Sequence, residues 1–292
     1  MNYASTFCQI EVRYGRQCFN SSSLIYCNAQ KSYRLLVNAV AILLYRNIVA
    51  SIDKVFLVWQ VVFPIVYIFI AGYSYSSLIG NQGVPMGSTT TVPYPAYLAA
   101  GMIGFNMMNS STIAGSIIWN DKRNGMFQQI LVMPFARMEY IAGTIITIML
   151  MGLASAGLIL IAGSPTLVGS AQPTLVGSLY VLYALITGAI FFGSIAIIIS
   201  TRLKSSEGFN VIVNSVFLFF SFVSTAFYPA QGVPEALRTA FYINPLTYIV
   251  DITRAGIFNN IDLFTNIEVG VISAVTAAAF FLATFSMMRM KI

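Results

Sequence analysis

The stretch from Tyr140 to Thr201 reads YIAGTIITIMLMGLASAGLILIAGSPTLVGSAQPTLVGSLYVLYALITGAIFFGSIAIIIST and contains no Asp, Glu, Lys or Arg. A helix needs about 20 mostly apolar residues to cross the hydrocarbon core of a bilayer. The stretch is therefore long enough for two crossings. Turn-forming residues at 164–177 divide it into two spans, at 141–163 and 178–200. This pattern predicts a membrane protein built from helices.

The rest of the chain has the same character. Hydrophobic residues make up 58% and charged residues 8% of the 292 residues, whereas a soluble domain carries about 25% charge. A second long charge-free stretch lies between Lys54 and Asp121, and two shorter ones follow later in the chain. These stretches predict four further spans, at 55–73, 96–118, 211–228 and 269–288. The total is six transmembrane helices in an all-α membrane protein.

The basic residues are distributed unequally between the two sides of this arrangement. With six spans, 13 of the 15 Lys and Arg residues lie on the side of the N-terminus, and only Arg238 and Arg254 lie on the other. Basic residues stay in the cytoplasm, so both termini are predicted to be cytoplasmic. Changing the number of spans by one would destroy this separation. The net charge of +6 thus indicates orientation rather than nucleic-acid binding.

An apolar segment precedes the first span. Residues 31–53 are interrupted by Arg46 and are too short to cross the membrane, so they predict an interfacial elbow helix. Arg34, Arg46 and Lys54 are expected to reach toward lipid phosphates. A seventh span is the alternative, but it breaks the charge rule. Residues 1–30 are expected to form a cytoplasmic tail.

The longest cytoplasmic loop lies between spans two and three. Met126, Phe127, Ile130 and Leu131 recur there at helical spacing, and Pro134 ends the run. These residues predict a short amphipathic helix exposed to the cytoplasm. It could lie on the membrane surface or insert into the groove of a partner protein.

The outer segment between spans five and six is moderately apolar. Pro234 begins one short helix, whereas Asn244 as cap and Pro245 at the first helical position begin another. Asp251 and Arg254 lie three residues apart in the second helix and can pair on one face. This segment predicts an outer re-entrant helical hairpin before the last span.

Spans two and five contain clustered uncharged polar residues. The candidates for pathway or dimer contacts are Asn106, Asn109, Ser110, Asn214 and Ser221. Such groups commonly join helices by hydrogen bonds. Their clustering also allows the alternative that they line a polar pathway. No predicted span carries a charge, so an intramembrane carboxylate for ion coupling has no candidate.

Several chemistries have no candidate residues. The chain has no histidine, and it contains no Gly-x-x-x-x-Gly-Lys-Ser/Thr phosphate-binding loop. We therefore predict no catalytic, metal-binding or cofactor-binding residues and no enzyme activity. A protein that moves a substrate without its own energy source is either a passive pore or one subunit of a transporter in which another subunit supplies the energy.

Three groups of residues resemble a known family, the membrane subunits of ABC type-2 exporters for drug, polysaccharide and lipid efflux. The first is the outer block Tyr228-Pro229, Pro234, Asn244-Pro245-Leu246-Thr247-Tyr248, Asp251 and Arg254; the second is Gly125-Met-Phe-Gln-Gln-Ile-Leu-Val-Met-Pro134 with Arg137 and Glu139; the third is Arg46 followed by Pro64. The resemblance covers residues 31–292, which it identifies as a permease domain.

The resemblance implies a permease of the cell membrane. Two such subunits, identical or different, would enclose the pathway, and a separate ABC ATPase subunit would bind ATP and Mg. The ATPase-coupling helix would comprise Gly125, Met126, Phe127, Gln128, Ile130, Leu131 and Pro134. The outer gate would comprise Pro229, Pro234, Asn244, Pro245, Asp251 and Arg254. Gln128 and Gln129 stand where the family carries an acidic residue. A stand-alone six-span channel or membrane scaffold is the alternative. The residues do not identify the substrate.

Overall fold

The computed structural model describes residues 40–49, 54–79, 83–86, 90–126, 129, 137–167, 169–171, 174–203 and 205–289, and nearly all of them are helical. The helices in chain order are α1 (Val40–Val49), α2 (Lys54–Tyr67), α3 (Tyr73–Ile79), α4 (Tyr94–Ser110), α5 (Thr112–Arg123), α6 (Arg137–Ala162), α7 (Ser164–Leu167), α8 (Leu175–Arg202), α9 (Ser206–Phe222), α10 (Glu235–Ile243), α11 (Pro245–Phe258) and α12 (Leu263–Met288).

Four of the described helices are long and apolar enough to cross a membrane. They are Val58–Ser77, which runs from α2 into α3, Met138–Ala162 in α6, Leu175–Arg202 (α8) and Leu263–Met288 (α12). These helices confirm an all-α membrane fold. Spans two and five correspond to shorter or interrupted helices, so the total of six spans, the orientation and the interfacial position of α1 stay predictions.

Two of the predicted spans contain breaks in the regular helix. A π-helical turn, Ile68–Gly72, joins α2 to α3 a few residues after Pro64, which lacks an N–H group. Between α4 and α5 the helix is interrupted at Ser111. Three successive hydroxyls donate back to main-chain carbonyls at this break, Ser110 to Asn106 (2.8 Å), Ser111 to Met107 (3.0 Å) and Thr112 to Asn109 (2.8 Å). Such bonds compete with the helical pattern and explain the break.

Helix α8 lies at the centre of the bundle and packs against α4, α5, α6, α11 and α12. Its first turn crosses α11 where Gly177 and Gly256 meet. A Cβ on Gly256 would lie 2.5 Å from the carbonyl oxygen of Gly177, and a Cβ on Gly177 would overlap the carbonyl of Gly256. Only glycine allows two helices to approach this closely. This contact holds the outer hairpin on the bundle.

Two short antiparallel strands, β1 (Val84–Met86) and β2 (Thr90–Val92), lie between α3 and α4. Two predicted boundaries were wrong. Span five was predicted to extend to Tyr228, but α9 ends at Phe222. Span six was predicted to begin at Val269, but a capping box at Asp262 begins α12 at Leu263. The candidate span therefore contains a charged residue, Glu268, contrary to the expectation that no span carries one.

Candidate functional site

The five predicted pathway residues lie on α4 and α9, and the structure brings them together. Two adjoining cavities of about 290 and 280 Å³ share Phe105, Asn109 and Asn214 as walls. Asn106 lines the first cavity, and Ser221 lines the second. Ser110 lies behind this wall, where its hydroxyl contacts Gln60. We call the two cavities together the polar groove.

The inner wall of the polar groove contains buried amide groups with unused hydrogen-bonding capacity. Gln60 on α2 is 6% exposed and donates to Ser110, and Asn106 is 2% exposed. Among the described residues, neither Oε1 of Gln60 nor the side-chain nitrogen of Asn106 has a hydrogen-bond partner. Buried polar groups without partners are rare and often mark functional sites. Sequence reasoning missed Gln60, although a single amide in an otherwise apolar span was a usable signal.

Aromatic side chains also line the polar groove. Trp59, Phe63 and Phe105 line the first cavity, and the ring centroids lie 6.0 Å apart for Trp59–Phe63 and 6.1 Å apart for Phe63–Phe105. A cleft lined by both apolar rings and a few amides suits an organic ligand that has both apolar and polar parts.

The two helices predicted for the outer hairpin are present as α10 and α11, whereas the position of this hairpin on the outer side of the membrane stays a prediction. Pro229 and Pro234 do not lie inside helices but precede them, Pro229 before a 3₁₀ turn at Ala230–Gly232 and Pro234 before α10. Asn244 caps α11 as predicted, because its side chain accepts a hydrogen bond from the N–H of Leu246 at 2.9 Å. Pro245 is the first residue of α11, also as predicted.

The Asn244 side chain also ends α9. Its Nδ2 donates to the carbonyl oxygens of Phe220 (2.7 Å) and Val223 (2.5 Å), which lie at the C-terminal end of that helix. These carbonyls lack helical partners, so the side chain of a later helix satisfies them. One residue therefore joins the end of α9 to the beginning of α11.

Arg254 and Asp251 form the predicted pair, with 3.1 Å between Nη1 and Oδ1. The Arg254 side chain is 2% exposed and also donates to three main-chain carbonyls, those of Tyr97 (3.3 Å), Thr225 (2.7 Å) and Ala226 (3.1 Å). Its guanidinium lies 3.6 Å from the centroid of the Tyr97 ring. The pair is thus part of a buried network that joins α4, the α9–α10 connection and α11.

Arg46 does not reach toward lipid phosphates as predicted, because a closer partner is available. Its Nη2 lies 2.7 Å from Oδ2 of Asp121, which also accepts a hydrogen bond from the Tyr140 hydroxyl at 2.7 Å. Asp121 lies near the end of α5 and Tyr140 near the beginning of α6. The Arg46 guanidinium also lies 5.7 Å from the centroid of the Tyr140 ring, so α1 contacts residues on both sides of the segment predicted to couple to an ATPase.

Lys122 lies beside this cluster and contacts the end of α8. Its ammonium donates to the carbonyls of Ser200 (3.2 Å) and Thr201 (3.4 Å), where a positive charge complements the helix dipole. Burial lowers the pKa of Lys122 from its ordinary value. The contact ties the beginning of the coupling loop to the central helix.

Most of the predicted coupling helix lies outside the described residues, namely Phe127, Gln128, Ile130, Leu131 and Pro134. Of the rest, Met126 is helical and exposed, and Gly125 has a φ of +69°, a left-handed conformation that favours glycine. The structure does not test this prediction further. Within the described ranges, no group of three or more His, Cys, Asp or Glu residues could hold a metal ion.

The fold and the site together are a helical membrane bundle with a groove lined by amides and aromatic rings. Residues 38–258 match the family model described as ABC-2 type transporter, and the chain belongs to this family. It is 25% identical over 244 residues to Nodulation protein J of Rhizobium meliloti (strain 1021), covering 77% of this chain and 83% of that protein. It is 23% identical over 229 residues to Nodulation protein J of Rhizobium leguminosarum bv. trifolii, with the same shares of both chains. The protein is therefore an ABC-2 family membrane permease.

Proposed function

We propose that this chain is the membrane-spanning permease subunit of an ATP-driven exporter. Two permease subunits enclose the substrate pathway, and a separate ABC ATPase supplies the energy. The observation that carries the proposal is the polar groove, because it combines buried amides that each have one atom without a hydrogen-bond partner among the described residues, aromatic lining residues and an open side.

The open side of the polar groove supports the dimer. Apolar residues on both flanking helices are exposed in the single chain: Trp59, Val62 and Val66 on α2, and Val211, Leu218, Phe219 and Phe222 on α9. Asn214 and Ser215 are exposed between them. Lipid does not satisfy amide groups, so an exposed polar strip at membrane depth favours burial against a second subunit. That second subunit would convert the polar groove into an enclosed pathway.

The cytoplasmic side supports coupling to an ATPase. The sequence that follows Gly125 predicts an amphipathic helix, and the contacts of Asp121 with Arg46 and Tyr140 join the described residues before and after this segment to α1. A movement of this segment would therefore reach α1, α5 and α6 together. The outer hairpin, held by Arg254 and Asn244, forms the gate at the other end of the pathway.

The polar groove is tested by replacing its amides. Asn109→Leu and Asn214→Leu should abolish substrate-stimulated ATP hydrolysis or change which substrates stimulate it, while assembly with the ATPase stays normal. Asn266→Leu on α12 is the control, because this exposed asparagine lies outside both cavities. Equal effects of all three changes would contradict a pathway through the polar groove.

The coupling helix is tested by co-purification with the ATPase. Phe127→Asp combined with Ile130→Asp places two charges in the proposed contact and should prevent co-purification, as the loss of interface hot spots does. Gln129→Asp is the control, because Gln129 lies on the other face and outside the residues assigned to the contact, so this change should be tolerated. If both variants co-purify normally, the helix rests on lipid, and the channel or scaffold alternative gains support.

The orientation is tested with single cysteines in a background without the three native cysteines. Cysteines at Thr90 and Asn260 should react with an impermeant reagent from outside the cell, and cysteines at Gln129 and Ser205 should react only after permeabilisation. Outside labelling at Gln129 would contradict six spans with cytoplasmic termini.

A further inference from the structure

A third cavity, of about 250 Å³, lies at the hairpin end of the bundle. The first turns of α12, the hairpin and the β1 strand line it, and it shares no lining residue with the polar groove. Three acidic residues line this cavity, Asp251, Asp262 and Glu268, together with one basic residue, Arg254. We call it the acidic cavity.

Glu268 is the unusual member of this set. The capping box at Asp262 begins α12 early enough to place Glu268 in its second turn, facing the protein interior. Glu268 is only 6% exposed. Within the part of the chain that the structure describes, its carboxylate makes neither a hydrogen bond nor an ion pair, yet it lines the acidic cavity. A buried carboxylate without a partner is expensive, so a cation in the cavity would stabilise it.

The neighbouring charges do not satisfy Glu268. Arg254 uses its N–H groups on Asp251 and on three main-chain carbonyls. Asp251 is satisfied by Arg254 and by the Thr225 hydroxyl at 2.8 Å, so this pair is close to neutral. Asp262 caps α12 at the exposed rim. The cavity therefore contains more acidic than basic groups, and Glu268 is the most deeply buried acidic group that lacks a partner, so a bound cation would favour its ionised form.

The remaining walls identify the kind of cation. Tyr242 and Phe264 add aromatic side chains to the lining, and rings next to a carboxylate are the usual surroundings of organic ammonium groups. The cavity is far larger than a metal ion. Moreover, the described acidic residues do not converge as a metal-binding group. We propose that the acidic cavity binds a protonated organic amine and that Glu268 is the counter-ion of its ammonium group.

This site goes beyond the proposed function, because amine binding requires neither the ATPase nor transport through the polar groove. The ammonium group could belong to a free amine or to the head group of an aminophospholipid. Both sources share the chemistry that Glu268 recognises, and the experiment distinguishes between them.

The test measures binding to the full-length protein in dodecyl maltoside, an uncharged detergent without amines. Isothermal titration calorimetry with phenethylammonium should show saturable binding, whereas 2-phenylethanol, which matches its shape without the charge, should show none. This comparison uses the unaltered protein and so does not depend on the folding of any variant. Binding of both compounds with equal affinity, or of neither, would overturn the proposal.

Substitutions then locate the site. Glu268→Gln keeps the size of the side chain and should weaken phenethylammonium binding by about ten- to a hundredfold, the effect of losing one charge-assisted hydrogen bond. Thr276→Val is the control, because Thr276 is buried two turns further along α12 and does not line the cavity. Unchanged affinity in the Glu268 variant would refute the assignment. Competition by added phosphatidylethanolamine, but not by phosphatidylglycerol, would assign the natural ammonium group to lipid; its absence would assign it to a free amine.

Discussion

Removing the Arg254 side chain should loosen the outer hairpin. In Arg254→Ala, the carbonyl oxygens of Tyr97, Thr225 and Ala226 lose their donor, and Asp251 loses its counter-ion. Each buried polar group left unsatisfied costs about 1–3 kcal/mol, but water can enter from the acidic cavity, which Arg254 lines. We expect a net loss of about 3–5 kcal/mol, as for other broken buried ion pairs.

Two further variants separate charge from geometry. Arg254→Lys keeps the charge, but an ammonium group cannot match the planar fork that reaches Asp251 and the main-chain carbonyls together, so it should lose roughly half as much. Arg238→Ala is the matched control, because Arg238 also lies in the hairpin and its side chain makes one hydrogen bond to the described residues, 3.3 Å to the Ala230 carbonyl. It should lose less than about 1 kcal/mol.

Thermal unfolding of the purified protein in detergent measures these differences. The apparent melting temperature should fall by on the order of 10 °C for Arg254→Ala and should hardly change for Arg238→Ala. Combining Arg254→Ala with Asp251→Ala should cost less than the sum of the two single changes, because the pair is then removed together. The argument for a buried network is wrong if the two Arg→Ala variants melt together or if the double change is additive.

Three other contacts make equally specific predictions. Asn244→Ala removes the cap of α11 and the donor to two carbonyls of α9, and should cost about 2–3 kcal/mol in the same unfolding assay, whereas Asn244→Asp, which keeps the cap but places a carboxylate oxygen against those two carbonyl oxygens, should cost at least as much. Gly256→Ala should cost about 1–3 kcal/mol because its methyl group meets the carbonyl of Gly177, while Gly270→Ala on open surface should be neutral or stabilising; similar melting of the two alanine variants would contradict the close helix crossing. Arg46→Asp should impair assembly with the ATPase, and adding Asp121→Arg should restore part of it; no rescue would mean that the 2.7 Å pair is not what positions the coupling segment.

The sequence predicted local features of the hairpin correctly where one residue type carries the signal. Asn244 as cap and Pro245 at the first turn depend on the chemistry of single side chains, and the structure confirms both. The Asp251–Arg254 pair follows from helical spacing alone. Arg46 was assigned to lipid wrongly, because its partner Asp121 is far away in the chain and only the packing of α1 beside α5 brings them together.

The amino-acid sequence by itself determined that the protein is helical and lies in a membrane. Long stretches without charge can satisfy their main-chain groups in lipid only as helices, whatever their neighbours are. Only the tertiary structure decided which polar groups meet. The packing of α2, α4 and α9 places Gln60 beside Ser110 and lines the polar groove with Asn109 and Asn214. The folding of α12 against the hairpin buries Glu268 without a partner. Such contacts join residues distant in the chain, and helical periodicity describes one helix at a time, so no local pattern could predict them.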